Sequence, residues 1–489
     1  MFSSVRQLTS VDAQFLALES PRQTGHVGSL LMLDPSTAPG GELTLEAFQA
    51  VIAARLAVVP PLRWRLVEVP FGLDHGYWID DPDFDLDFHV RELALPAPGT
   101  DAMLAEQVAR IVARPLDRAR PLWEIYLLHG VHGDQMAVLT KIHHALIDGM
   151  SGAEILGALL DLSPEIRHVE SSPAGMSTGD RVPGRFELLG RGLLGLAGYP
   201  LRVARAVPGT LPHLEEVRSL RAVPGVPLLG RLAGVVQRGL GGSNTRGFGG
   251  MEAPHTPFSR PLSAHRRFAF GSLSLDEVKA VKKAHGVTVN DVVVSLCAGA
   301  LRRWLVAKDA LPDEPLVAQI PISVRTPEQA GTYGNQIMLM TVPLLTTLSD
   351  PIERLRATHD ALGEMKESQQ AMPAALLADA NRFVPPALLS RAARLSFALS
   401  TRWGGRPLWN LVVSNVPGPQ FPLYLAGAKV THTYPVSVIT DGMGLNITVM
   451  SYCGSLDVGI VADRDQVPDV DTIIDQLRAE LAVLTRVAA

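Results

Sequence analysis

The stretch Lys141-Ile142-His143-His144-Ala145-Leu146-Ile147-Asp148-Gly149 sets the tightest limit on how this chain folds. Two apolar runs, 123–128 and 136–142, precede it. They are rich in Ile, Val and Leu, and His129-Gly130-Val131-His132-Gly133-Asp134 separates them, so they read as a β-hairpin. After it, Ser151 and Glu154 have the S-x-x-E spacing that satisfies free amides at a helix start. A helix is therefore predicted over 151–160. The histidine pair falls where a strand gives way to a helix through an Asp-Gly turn. There a rigid sheet can aim an imidazole into a cleft. An imidazole titrating near neutrality suits a general base that deprotonates an alcohol, worth about 10²–10⁴-fold in rate.

Other readings of the pattern stand beside that one. His144 and Asp148 are four residues apart and would suit a metal, but no third ligand has suitable spacing, so no metal is expected. A structural histidine pair at a sheet edge is the plainer alternative. Asp148 need not touch a substrate; in a turn it can fix the loop by ion pairing or backbone bonds.

The rest of the chain mixes helices and strands without a strict βαβ rhythm, which predicts an α+β fold with mixed sheets flanked by helices. A strand at 30–33 runs into Asp34-Pro35, and helical spacing covers 45–58. Ser274 and Glu277 open a helix to 285, and a second helix is expected over 288–308. Strands are expected at 316–324, 411–416, 430–434, 445–452 and 456–461, with Cys453-Gly454-Ser455 turning the last pair. A helix over 470–484 closes the chain.

Between these regions lies a segment rich in Gly, Pro, Leu and Arg. Residues 181–246 hold ten arginines, no lysine and three acidic residues, a net +7. Phe186, Leu188, Leu189, Leu193 and Leu194 cluster beside Arg185 and Arg191. Such a basic amphipathic segment can lie on an anionic membrane or lipid-droplet surface. Equally, it can be a linker whose leucines pack on the protein. The division expected is an N-terminal lobe at 1–170, a linker at 171–262 and a C-terminal lobe at 263–489.

Several classes drop out. The chain of 489 residues carries a net charge of −5, unlike a nucleic-acid-binding protein. It has no P-loop, no GxGxxG after a strand, no GxSxG elbow and no HExxH. No apolar run reaches the ~18–20 residues that span a bilayer, and no secretory signal is visible. A cytoplasmic protein, peripheral at most to the inner membrane or to lipid inclusions, is expected. Cys297 and Cys453 sit among apolar residues and read as buried, inert thiols.

Further motifs carry a resemblance. The HHxxxDG pattern resembles that of the acyltransferases related to chloramphenicol acetyltransferase and to peptide-synthetase condensation domains. The opening 8–16 with His26-Val27-Gly28, Pro121-Leu122-Trp123-Glu124, Asn290-Asp291, and Ser414-Asn415-Val416-Pro417-Gly418-Pro419 are similar to motifs of the bacterial wax ester synthase/acyl-CoA:diacylglycerol acyltransferases. The late DFGWG of plant alcohol acyltransferases is not met, since Asp441-Gly442-Met443-Gly444-Leu445 stands at a comparable place.

The resemblance implies two chloramphenicol-acetyltransferase-like lobes meeting along an active-site tunnel. It implies an O-acyltransferase moving a long-chain acyl group from acyl-CoA to diacylglycerol or a long-chain alcohol. Acyl-CoA is then a substrate, and no cofactor is needed. His144 is implied as the base, with His143 assisting or structural. Asp148 is implied to pair with a distant arginine, for which Arg325 is the candidate; an exposed strand-end arginine is the alternative. Asn290 and the backbone near Gly149 are candidate oxyanion donors, although Asn290-Asp291 also suits helix capping. Trp123 suits either substrate support or the core, and Asn415 either the tunnel or a structural turn. His26 is a tunnel group or a core histidine, and 423–427 is a candidate wall of the alcohol pocket. A transferase fed by a carrier protein and a silent lipid-binding protein of the same fold are the alternative functions.

Overall fold

The computed structural model of the chain describes residues 6–147, 157–167, 183–184, 186–190, 193, 253–323, 337–370 and 406–488. The first part runs β1 (Arg6–Gln7), α1 (Ser10–Leu18), β2 (His26–Asp34), α2 (Leu45–Leu56), β3 (Trp64–Val67), β4 (Tyr77–Asp80), α3 (Leu86–His89), β5 (Val90–Ala94), α4 (Asp101–Val112), β6 (Trp123–Val131), β7 (Gln135–His143) and α5 (His144–Ile147). The second runs β8 (Arg266–Ser274), α6 (Leu275–His285), α7 (Val289–Val306), β9 (Leu316–Ser323), β10 (Ile337–Leu344), α8 (Pro351–Gln370), β11 (Leu411–Val416), β12 (Tyr424–Leu425), β13 (Ala428–Val436), β14 (Leu445–Tyr452), β15 (Ser455–Asp463) and α9 (Asp471–Ala488).

Two six-stranded sheets organise the molecule, ordered β12-β13-β2-β7-β6-β5 and β10-β9-β11-β14-β15-β8; β1, β4 and β3 form a small third sheet. Both large sheets mix parallel and antiparallel pairs. In β2, Leu31 and Leu33 join the core under α2, while Leu30 and Met32 join the core under α4. A strand covered on both faces reads as a continuous apolar run, and this one does. Alternation along α4 puts Leu104, Val108, Ile111 and Val112 inward. The central helix of the second part, α7, is buried almost all round. That is what an apolar helix lacking a polar stripe requires.

The expected hairpin is present as β6 and β7, and the expected α7 begins at its Thr288 cap. Strand β13 goes where sequence order does not point. It crosses to the first sheet and pairs antiparallel with β2, Val430 opposite Leu33 and Val436 opposite Gly28. The thiol expectation holds for Cys297, which is buried, and fails for Cys453, which is exposed. Cys453 and Gly454 both take positive φ, at 44° and 83°. They form the tight turn between β14 and β15, which leaves Cys453 at the surface.

No single helix among the described residues is long and apolar enough to cross a membrane. Of the helix expected at 151–160, residues 157–160 are described, and 157–159 are helical. The basic segment 181–246 lies outside the described residues except for 183–184, 186–190 and 193.

Candidate active site

Strand β7 delivers His143 to the end of the first sheet, opposite His26 of β2 in register. The pairing needs glycine beside it: a Cβ at Gly28 would run into the Thr140 carbonyl. Both nitrogens of His143 face inward. Its Nδ1 accepts from the Ala145 N–H at 3.1 Å, so Nε2 carries the proton and points at Glu19 Oε1, 3.1 Å away. Gly25 keeps that path open, since a Cβ there would lie 2.7 Å from His143 Nε2. Glu19 also accepts from the Gly25 N–H at 2.8 Å and from Arg118 at 2.9 Å. Burial raises its carboxyl, but His143, Gly25 and Arg118 outweigh burial and pull it down to about 2.

His144 is placed differently. Its backbone N–H donates to the Gly25 carbonyl at 2.8 Å. Its ring stacks on Phe15, centroids 3.9 Å apart and planes 14° apart. It remains half-buried while His143 is 1% exposed. Phe15 and Glu19 are four residues apart along α1 and its cap, hence on one face. One helix therefore meets both histidines. It is started by a capping box between Thr9 and Asp12.

Around this end the sheet buries several polar side chains. His26 is a core histidine: its ring meets the Val112 carbonyl at 2.7 Å, and burial, helped by the Lys141 charge, drives its pKa well below the usual value. Lys141 is buried against Glu124 at 3.3 Å, and Tyr126 donates to the same carboxylate at 2.8 Å. Trp123 is fully buried, donates to the Leu62 carbonyl at 2.6 Å and stacks on His89. It supports the sheet from within the core.

A second group lies at the other sheet. At the start of α7, Asp291 accepts the Thr288 N–H at 2.8 Å and lies 2.7 Å from His359 Nδ1, so it closes the capping box whose N-cap is Thr288. Asn290 is not the cap. Its Oδ1 meets Nδ2 of Asn415, from the end of β11, at 3.5 Å, and both residues are half-buried. The structure thus brings Asn290 and Asn415 together and leaves Trp123 in the core. Asp148, Gly149 and Arg325 lie outside the described residues. Among the described residues, no three His, Cys, Asp or Glu side chains cluster to hold a metal. A surface pocket of about 330 Å³ beside Leu43, Glu92, His129 and Met136 opens near the start of β7, at the opposite end of that strand from the histidines.

Glu19, Gly25 and Arg118 were not among the residues the sequence singled out, and Phe15 entered only as part of the opening motif 8–16. The T-x-x-D spacing of Thr9 and Asp12 marks only the start of the helix that carries Phe15 and Glu19.

With this geometry in place, the comparisons with known proteins are specific. Residues 8–293 match the model of the wax ester synthase/diacylglycerol acyltransferase catalytic domain, and residues 333–485 match that family's C-terminal domain. The chain belongs to the wax ester synthase/diacylglycerol acyltransferase family. By that membership it is an acyl-CoA-dependent O-acyltransferase. A putative diacylglycerol O-acyltransferase of Mycobacterium tuberculosis is 37% identical over 483 residues, covering 98% of this chain and 99% of its own. Among solved structures, the wax ester synthase/diacylglycerol acyltransferase of Marinobacter aquaeolei matches with a TM-score of 0.69 at 29% identity, covering 99% of each chain. A trichothecene 15-O-acetyltransferase of Fusarium sporotrichioides, at 14% identity and a TM-score of 0.54, covering 98% of this chain and 94% of its own, shares the fold. The two-lobed α+β architecture is that of this wider group.

Proposed function

We propose that this acyltransferase esterifies a hydroxyl of diacylglycerol or of a long-chain alcohol, with His144 as the general base. The observation that carries the reading is the difference between the adjacent histidines. His143 has both nitrogens committed inward, whereas His144 is half-buried at the strand end with its ring held against Phe15.

His144 takes the proton of the acceptor hydroxyl as that oxygen attacks the thioester carbonyl. The C–O bond forms, the C–S bond breaks, and the imidazolium returns its proton to the leaving thiolate. No acyl-enzyme is formed, so no serine or cysteine nucleophile is required, and the step consumes no cofactor. Asn290, backed by Asn415, is our candidate donor to the developing oxyanion. Asp148 and Gly149 shape the turn after the base, and Arg325 pairs with Asp148. Acyl-CoA and acceptor enter a tunnel between the lobes from opposite faces.

We assign the basic segment to a lipid surface. Its support is the +7 charge of 181–246 together with exposed Phe186 and Leu193 beside buried Leu188. Flotation of the full chain with anionic vesicles tests that assignment; equal recovery with neutral vesicles or with none contradicts it.

The acceptor is tested by coenzyme A release from palmitoyl-CoA with diacylglycerol, with hexadecanol and with neither. Release that depends on an acceptor is expected, and the better acceptor names the product. Release with neither lipid raised above the blank would overturn the assignment of these acceptors.

A further inference from the structure

We propose that Phe15 is a positioning residue for the base, its ring face setting the plane of the His144 imidazole and supporting that ring while it carries the transferred proton. The inference rests on the reading of His144 as the base.

The backbone of His144 is fixed by its N–H bond to the Gly25 carbonyl. Phe15 packs against the face of its ring. Its ring lies 3.9 Å from the imidazole and within 14° of parallel, which is van der Waals contact over the whole face. Near-parallel stacking directs the electron-rich face of the benzene ring at an imidazole that becomes cationic during each turnover. Packing alone does not account for Phe15. It stays half-buried, while the next residue, Leu16, enters the core and is 8% exposed. Helix α1 is tied down at both ends. Its first turn is locked by the Thr9–Asp12 box, and its C-terminal cap, Glu19, is tied to His143 and Arg118.

The test is steady-state kinetics of the full chain carrying Phe15→Leu, Phe15→Tyr and His144→Ala, and the Phe15→Leu/His144→Ala pair. Phe15→Leu keeps the volume and loses the planar face. Its kcat is expected to fall by about 10–100-fold, the scale of a misplaced reacting group, with KM for palmitoyl-CoA little changed. Phe15→Tyr keeps the face and is expected to recover kcat to within about threefold, since a phenol offers the same ring. In the His144→Ala background, Phe15→Leu is expected to change the residual rate no further, because groups acting as a unit are not additive. If Phe15→Leu fails to fold, Phe15→Met takes its place as the flexible filler. A wild-type kcat for Phe15→Leu, beside an inactive His144→Ala, would overturn the proposal and leave the base intact. Equal loss in Phe15→Leu and Phe15→Tyr would also overturn it. Full activity in folded His144→Ala would instead remove the reading beneath it.

Discussion

Strands β7 and β11 are both central in their sheets, and their ends are built differently. The end of β7 carries two histidines, and the first is locked to a carboxylate whose pKa is pulled to about 2. The end of β11 carries Asn415, a neutral amide against the neutral amide of Asn290. A base needs a defined ring orientation and a charge close by. A donor to a developing oxyanion needs only a fixed dipole. The contrast teaches how the two sheets divide the work under the proposed mechanism: proton transfer belongs to the first, charge acceptance to the second.

That division can be broken at several points. Removing the dipole should be severe: Asn290→Ala is expected to lower kcat by about 10²-fold, the usual loss for one oxyanion donor, in a kinetic assay with diacylglycerol. An unchanged kcat would return Asn290 to a structural part. On the first sheet, Glu19→Gln is expected to lower kcat by about 10–100-fold through misplacement of the histidine pair, with a lower Tm. If only the Tm moves, Glu19 serves folding alone.

The same carboxylate predicts a pH dependence. Its folded pKa lies below the usual value, so its contribution to stability is present above 4.5 and is lost as pH falls toward about 2. Melting curves of wild type and Glu19→Gln should therefore converge across that window. A constant gap would contradict the assignment.

The smallest effect is expected where the sheets meet. Asp457 is fully buried and accepts from Ser272 at 2.7 Å, Ser455 at 2.8 Å, the Thr433 N–H at 2.7 Å and His432 at 3.0 Å. The bond to Asp457 raises the His432 pKa although burial opposes it. A raised pKa means that this contribution is present below 6.5 and is lost as pH rises through the folded value. His432 is partly exposed, so His432→Gln is expected to cost less than about 1 kcal/mol, more at pH 6 than at pH 9. The reverse order of melting temperatures would rule this out.

What the sequence made legible was local. The strands and histidines around β7 follow from apolar runs and turn residues, and the start of α6 from the spacing of Ser274 and Glu277. Three kinds of feature escaped. Helix α1, with the sequence SVDAQFLAL, shows little polar–apolar periodicity, so nothing along it announces that Phe15 and Glu19 meet a motif far downstream. Strand β13 has ordinary strand composition, and its pairing with β2 is a long-range choice made by the fold. The polar residues of Asn290-Asp291 look alike in sequence, yet one closes the capping box of α7 and the other faces Asn415, a distinction set by side-chain direction.

The most direct measurement is kcat and Tm for His144→Ala and His143→Gln side by side, with palmitoyl-CoA and the better acceptor. His144→Ala is expected to lose about 10²-fold or more in kcat at an unchanged Tm. His143→Gln is expected to lower the Tm and cost less in rate, because it replaces the imidazole packed between Glu19 and the Ala145 N–H while leaving the base. A folded His144→Ala with full activity, or a larger catalytic loss in His143→Gln, would contradict the role of His144 as the base.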